Sequence, residues 1–108
     1  MFQSEPQLYT DLVIPSAGTD SNWVALDTSK GQFVGIVWPA AFDGTTVTIQ
    51  ASFDGGTTPI KVQDVTFVAS EYKDLDPAKY RGIKLIRLKA ASAQSGGART
   101  IKLVGSVV

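Results

Sequence analysis

The segment 45–62, TTVTIQASFDGGTTPIKV, constrains the fold more than any other part of this 108-residue chain. Apolar and polar side chains alternate along 46–53, which is typical of an antiparallel strand with one face in the core. Asp54-Gly55-Gly56 then supplies a tight turn, because glycine adopts a positive φ at no steric cost. The segment therefore predicts a β-hairpin in an all-β domain, whose first strand turns these residues inward: Val47, Ile49, Ala51 and Phe53.

Short extended segments separated by turn residues fill the rest of the chain. Beside the hairpin, strands are predicted at 8–14, 23–26, 33–38, 65–68, 72–75, 83–90 and 99–107, with turns at 29–31 and 92–97. Asp76 as N-cap, Pro77 at the first helical position and Gly82 beyond the end predict one helical turn at 77–81. The pattern predicts a single antiparallel, jelly-roll-like β-sandwich over 1–108, with residues 1–7 as an extended N-terminal arm.

Three finer expectations concern packing. Pro39 ends the apolar strand before it, because proline cannot donate to the sheet ladder, and Trp38 in that strand is expected in the core. Phe42 is expected to close one end of the core. The adjacent apolar residues Leu85 and Ile86 break strict alternation, which predicts a bulge or a sheet corner there.

The composition argues against catalysis and bound cofactors. The chain has no cysteine and no histidine, so thiolate metal sites, disulfides and the commonest general base are excluded. No GxSxG elbow, phosphate loop or dinucleotide fingerprint occurs. We therefore expect no enzyme activity, no metal and no cofactor. No signal peptide or 18-residue apolar run is evident, so we expect a protein made in the cytoplasm, without a membrane segment.

Charge is distributed unevenly along the chain although the net charge is zero. Residues 1–76 carry three basic and ten acidic side chains, whereas residues 77–108 carry seven basic and no acidic ones. Acidic and basic strands that neighbour each other would explain this. Alternatively, if the last two strands pair, they form one basic face that docks on an acidic partner. The candidate docking residues are Lys84, Arg87, Lys89 and Lys102. Nucleic-acid binding is not expected, since aromatic residues for base stacking are not near them.

Two other groups of residues suggest binding chemistry. Four aromatic residues could form a platform for sugar rings: Trp23, Trp38, Tyr72 and Tyr80. Trp23 is the best candidate for an exposed one, although burial as a core anchor is the commoner role of such a residue. Asp74 and Asp76 could act as paired carboxylates, and Asp54 could bind calcium. Helix capping explains Asp76 and the hairpin turn explains Asp54 more simply.

Turn and core signatures in chain order carry a family resemblance. They are Ile14-Pro15-Ser16-Ala17-Gly18, Val34-Gly35-Ile36, Pro39-Ala40-Ala41-Phe42-Asp43, Ser52-Phe53-Asp54-Gly55-Gly56, Leu75-Asp76-Pro77, Gly82-Ile83-Lys84 and Arg99-Thr100-Ile101. This order resembles small β-sandwich virion proteins of tailed bacteriophages. The resemblance implies a capsid decoration (cement) protein or head-fibre base, located on the virion, with the major capsid protein and a second copy of itself as partners. It carries over no catalytic residue. A tail or baseplate component and a carbohydrate-binding module are the alternatives.

Overall fold

The computed structural model describes residues 6–8, 11–26 and 32–106, and in this part of the chain it contains nine strands and one 3-10 turn. The predicted all-β class is confirmed. The strands are β1 (Pro6–Leu8), β2 (Leu12–Ile14), β3 (Val24–Ala25), β4 (Gln32–Val37), β5 (Thr46–Ser52), β6 (Ile60–Thr66), β7 (Tyr72–Asp74), β8 (Leu85–Ala90) and β9 (Arg99–Ser106).

The strands form two antiparallel sheets with jelly-roll connectivity. The first sheet has the order β1-β9-β4-β7, with β2 also pairing with β9, and the second has the order β3-β8-β5-β6. The pairs β1·β9, β3·β8, β4·β7 and β5·β6 are nested in the sequence. The chain is therefore one long hairpin rolled into two layers, with β4·β9 and β5·β8 as the contacts that close the roll. This connectivity confirms the predicted jelly-roll-like sandwich.

The core lies between the sheets and contains both predicted core aromatics. Trp38 is buried and stacks on Phe67 with ring centroids 3.9 Å apart. Phe42 packs edge-on against both rings, which confirms that it covers one end of the core. The aliphatic core residues come from both sheets: Leu12, Ile14, Ile36, Ile101 and Leu103 from the first, and Val24, Val47, Ile49, Val65, Ile86 and Leu88 from the second.

The β5–β6 hairpin confirms most of the predicted alternation and corrects its end. Val47, Ile49 and Ala51 are buried, but Phe53 is 63% exposed and Ser52 is buried. The inward prediction for Phe53 is wrong because the strand ends at Ser52, whose hydroxyl accepts a hydrogen bond from the Gly56 N–H at 2.8 Å. The turn therefore begins one residue before Phe53 and directs that ring away from the core.

The predicted bulge at Leu85 is also wrong. β8 pairs with β5 in continuous register, and its burial alternates strictly, with Leu85 half-buried on the outer side and Ile86 on the core side. Bulges occur instead near Gly35, where β4 shifts against β9, and near Ile49, where β5 shifts against β6. At the first bulge the Tyr72 ring covers Gly35 so closely that any Cβ there would collide with the Tyr72 hydroxyl.

Several predicted boundaries need correction. The strand predicted at 8–14 is two strands, β1 and β2, which both pair with β9. Residues 6 and 7 therefore belong to a sheet rather than to an arm, and residues 1–5 lie outside the described part. The segments predicted around 57–62 and 65–68 are joined in β6. The helical turn is confirmed as a 3-10 turn at Pro77–Tyr80. The predicted turn at 29–31 and Val107 also lie outside the described residues.

Candidate interaction surfaces

A cluster around Trp23 lies on the outer face of the second sheet. Trp23 precedes β3, and the Arg87 guanidinium from β8 lies 4.7 Å from the centre of its ring. Gln50 of β5, directly opposite Arg87 in the sheet, accepts a hydrogen bond from Arg87 Nε at 2.8 Å. Gly56 of the hairpin turn approaches the pyrrole edge so closely that a Cβ there would lie 3.1 Å from Trp23 Nε1. Trp23 is half-buried as a result.

Asp20 completes this Trp23 cluster. Its carboxylate lies 3.6 Å from Arg87 Nη2 and 3.4 Å from Lys89 Nζ, and its backbone forms an isolated bridge with Lys89. Burial acts to raise the pKa of Asp20, but the Thr19 hydrogen bond and the charges of Arg87 and Lys89 outweigh it and lower the pKa below its ordinary value. The cluster is therefore ionised and internally paired at neutral pH.

The candidate docking cations do not form the single basic face that pairing of the last two strands requires. β8 and β9 lie in different sheets, so Arg87 and Lys89 project from the second sheet and Lys102 from the first. That prediction is wrong because the roll places β4 and β2 beside β9, and β3 and β5 beside β8. Lys102 lies 3.4 Å from Asp11, whereas Lys84 is exposed and makes no ion pair with any described residue.

Pairing between the two halves of the chain accounts for the uneven charge. Four of the five ion pairs among the described residues join a cation after Asp76 to an acid before it. These contacts connect β8, β9 and their loops to the first half of the chain, as nested strand pairing requires. Acidic and basic segments therefore neighbour each other, but the acids Asp11, Asp20 and Asp43 lie beside the strands rather than within them. The four pairs are Arg87–Asp20, Lys89–Asp20, Arg99–Asp43 and Lys102–Asp11.

The predicted aromatic platform does not form. Trp38 and Tyr80 are buried, and Tyr80 packs edge-on against Phe33 at 4.8 Å while donating a hydrogen bond to Gln63. Tyr72 is 47% exposed but lies on the first sheet, away from Trp23 on the second. Two of the four aromatic residues therefore lie in the core, one lies on the first sheet and one lies on the second.

The acidic candidates have structural roles. Asp54 Oδ1 accepts hydrogen bonds from the backbone N–H groups of Thr57 and Thr58 at 3.1 and 2.8 Å. Hydrogen bonds from Thr58 and from the Ser52 hydroxyl lower the pKa of Asp54 to about 2. Asp76 caps the 3-10 turn by accepting from the Ala78 N–H. In the described part of the chain, no group of three or more acidic residues is arranged to hold a metal ion.

One apolar surface, the Tyr72 face, lies on the outside of the first sheet. Tyr72, Val37 and Lys102 form a row across β7, β4 and β9, since Val37 is directly opposite both of the others. Val13 extends the same face on β2, opposite Thr100, which lies two residues from Lys102 along β9. Tyr72 is held in place by a hydrogen bond from its hydroxyl to the Val34 carbonyl at 3.1 Å. Burial, with Asp74 nearby, raises its pKa.

A second surface, the β6 edge, consists of β6 with Phe53 and Val68 at its two ends. Ile60 lies opposite Ala51, two residues before Phe53, and is 47% exposed, and Val68 is 61% exposed. Lys61 and Asp64 form an ion pair of 2.7 Å on this strand. Sequence reasoning missed this surface because Phe53 fits the alternation of a buried strand, and because apolar residues at 60, 62 and 65 give no sign of an intervening bulge.

Comparisons with protein-family models, curated proteins and solved structures found no match to this chain. In the described residues, no helix reaches the length and apolarity that a bilayer span requires.

Proposed function

We propose that this chain is a structural virion protein of a tailed bacteriophage and has no catalytic role. It would bind the capsid surface as a decoration or cement protein, through protein–protein contacts with the major capsid protein and with further copies of itself. It would be made in the host cytoplasm and remain on the virion. The resemblance of the turn and core signatures supports the family, and the exposed apolar surfaces support binding through protein–protein contacts.

The Tyr72 face is the observation that carries this proposal. Val13 is 39% exposed and Tyr72 is 47% exposed, with the half-buried Val37 between Tyr72 and the cation Lys102. A surface with apolar and aromatic groups at its centre and a charge at its side is the usual composition of a protein interface. Because these residues lie on paired strands, their spacing is fixed before binding, which reduces the entropy lost on association.

The predicted docking cations would contribute differently to capsid binding. Lys102 lies within the Tyr72 face beside two apolar side chains and pairs with Asp11 at 3.4 Å, so this exposed ion pair would face the capsid. Arg87 and Lys89 are engaged with Asp20, so their role is to hold the Trp23 cluster together. Lys84 is exposed just before β8 of the second sheet and would contribute if that sheet touches a neighbouring capsomer. These assignments support a capsid contact through the first sheet.

Co-sedimentation with purified capsid shells, of the phage whose genome encodes the chain, tests this proposal. Wild-type protein is expected to pellet with the shells at saturable stoichiometry. Val13→Asp and Lys102→Glu should each weaken binding about tenfold or more, since a charge in an apolar contact and a reversed charge both oppose docking. Lys79→Glu, an exposed cation on the 3-10 turn, is the matched control and should bind normally. Absence of wild-type protein from the pellet at low salt would overturn the proposal.

A head-fibre, tail or baseplate component would share this fold and differ in its partner. The same experiment with purified tails or fibres separates these roles, because binding to them in the absence of shell binding would assign the chain to that structure. Lys84→Glu is a further comparison. A loss of shell binding in this variant, with Lys102→Glu unaffected, would assign the contact to the second sheet instead.

Carbohydrate binding is a second candidate, and the Trp23 cluster favours it. Half-buried Trp23 lies under Arg87, which contacts Asp20 and Gln50 in turn, and such polar groups near an indole suit a sugar. The Arg87 guanidinium lies over the ring, so a glycan would have to displace it or bind the ring edge. Titration with a glycan panel should then change the tryptophan fluorescence of the wild type, and Trp23→Phe should abolish that change. No change with any glycan would reject this candidate.

A further inference from the structure

β6 is the longest unpaired strand edge in the described part of the chain. It has seven residues, whereas the other strands at sheet edges, β1, β2, β3 and β7, have three, three, two and three. An unpaired edge offers free N–H and C=O groups to another strand, and natural proteins usually keep such edges short or interrupt them with proline. β6 is long and has no proline within Ile60–Thr66.

The charges on β6 are arranged unusually for an edge. Residues three apart on a regular strand project to opposite faces, yet Lys61 Nζ and Asp64 Oδ2 lie 2.7 Å apart. The bulge explains this, because Gln50 pairs with Lys61 and Thr48 with Asp64, so both side chains share the outer face. A lone lysine would repel a second copy of the strand. Here the opposite charge beside it makes the edge neutral.

We propose that β6 pairs antiparallel with β6 of a second copy of this chain about a two-fold axis. In this register Lys61 lies opposite Asp64 of the second copy, and Asp64 lies opposite Lys61 of the second copy. Opposite charges directly across an antiparallel pair are stabilising, whereas like charges there are destabilising. A two-fold axis through Lys61 would place Lys61 opposite Lys61 of the second copy, and an axis through Asp64 would do the same for Asp64. The charges therefore favour an axis midway between the two residues. This inference does not depend on the proposed virion role.

The exposed apolar side chains support the same arrangement. Phe53 and Ile60 lie at one end of the β6 edge and Val68 lies beyond the other end. Antiparallel pairing reverses the second strand, so the Phe53 end of each copy meets the Val68 end of the other. Three of the five large hydrophobic residues exposed in the described part of the chain are thereby brought into one interface.

The backbone of β6 is oriented to accept a second strand. The Phe67 N–H donates to the Thr45 carbonyl at 3.0 Å, towards β5. Backbone groups alternate in direction along a strand, so the N–H groups of Thr66 and Asp64 point away from β5 towards the open edge. In the proposed dimer these two amides donate to carbonyl groups of the second copy and become protected from exchange.

Sedimentation velocity on the full chain and two charge-reversed variants tests the proposal. Wild type should show a monomer–dimer equilibrium. Lys61→Asp and Asp64→Lys should each weaken self-association at least about tenfold, because each replaces two attractive cross-strand pairs by repulsive ones. An equimolar mixture of the two variants should recover dimers, since one chain then presents two acidic side chains at the paired positions and the other presents two basic ones. Lys73→Asp on the edge strand β7 is the matched control and should dimerise like wild type.

The outcomes separate the proposal from a structural effect of the Lys61–Asp64 pair. Both variants lose the intramolecular pair, so recovery of dimers on mixing can come only from contacts between chains. A wild type that stays monomeric up to about millimolar concentration, or dimers unaffected by either reversal, would overturn the proposal. Failure of the mixture to associate would do the same. If a variant does not fold, hydrogen exchange of the wild type decides instead, because Asp64 and Thr66 amide protection must rise with protein concentration.

Discussion

The two ends of the second sheet are constructed differently. At the clamped end, Asp43, Gln94, Ser95 and Arg99 connect the loop before β5 to the loop after β8 through buried and charged hydrogen bonds. At the hairpin end, Ser52 and Asp54 bond within their own turn, and Phe53 is left exposed. The clamped end is specified by long-range contacts that stabilise the roll. The hairpin end is held by hydrogen bonds within its own turn. Its exposed apolar side chains therefore remain available to a partner.

Gln94 is the centre of the clamped end. It is fully buried, and its Nε2 donates to the carbonyls of Asp43 and Ser92 at 3.1 and 3.0 Å. Its Oε1 accepts from the Asp43 N–H at 2.8 Å and from Arg99 Nε at 3.3 Å. One amide therefore uses both donor hydrogens and both acceptor lone pairs. The Ser95 hydroxyl and backbone N–H, followed by Arg99, lower the pKa of Asp43 beside it.

The two ends should differ most in the free energy of unfolding that is lost when one phenylalanine at each end is replaced by alanine. The substitution at the clamped end is Phe67→Ala, and that at the hairpin end is Phe53→Ala. Phe67 is 5% exposed and stacks on Trp38 at the clamped end. Its removal leaves a cavity between two aromatic rings and should lower the free energy of unfolding by about 3–5 kcal/mol. Urea denaturation followed by tryptophan fluorescence measures this loss. A loss below about 1 kcal/mol would show that the clamped end does not stabilise the fold in this way.

Gln94→Ala should have the next largest effect. The substitution leaves the Asp43 N–H and two carbonyls without their partner at a part-buried site, which should cost about 2 kcal/mol of unfolding free energy. Ser95→Ala is the control, since the exposed Ser95 donates one hydroxyl hydrogen bond to Asp43 at 2.7 Å, and it should cost clearly less. Equal losses in both variants would contradict the central role of Gln94.

Acid is expected to act on the hairpin end through Asp54. Its pKa falls from 3.8 to about 2 in the folded chain, so the unfolded state binds a proton more readily. The stabilisation from its ionised carboxylate is therefore fully present above about pH 4 and is lost as the pH falls through about 2. A carbon-13 NMR titration of the Asp54 carboxyl group should give that midpoint, and Asp54→Asn should remove this contribution to the pH dependence of unfolding. A midpoint at the ordinary value of 3.8 would contradict the turn geometry.

Phe53→Ala should have the smallest effect on stability and completes the matched pair. The ring is 63% exposed, so its loss should change the unfolding free energy by no more than about 0.5 kcal/mol. The same variant should weaken dimerisation in sedimentation experiments, because the ring lies at the end of the β6 edge. A stability loss close to that of Phe67→Ala would mean that the hairpin end belongs to the core.

Local patterns were sufficient where a few adjacent residues decide the outcome. Alternation placed Val47, Ile49 and Ala51 in the core, and Asp76-Pro77 with Gly82 marked the short helical turn. The same reasoning failed at Phe53, because the buried Ser52 hydroxyl begins the turn one residue early. It also misplaced the bulges, since a register shift depends on the partner strand.

The sequence shows which residues are basic or aromatic, but not which of them share a surface. Lys84, Arg87, Lys89 and Lys102 are evident as basic residues, yet their division between two sheets follows from how the hairpin rolls. The network around Gln94 joins residues 51 positions apart in the chain, and neither glutamine nor aspartate has a local pattern that would reveal such a contact. Long-range partners of this kind carry no short-range signal.

By itself, the sequence determined the all-β class, the hairpin 45–62, the sandwich with its helical turn and the lack of cysteine or histidine chemistry. These follow from side-chain periodicity, turn residues and composition, which act over a few positions. The tertiary structure decided that β8 and β9 lie in opposite sheets, that Arg87 covers Trp23 and that β6 is left unpaired with its charges on one face. Each of these depends on which strands meet when the long hairpin rolls up, and that choice is made by the packing of the whole chain.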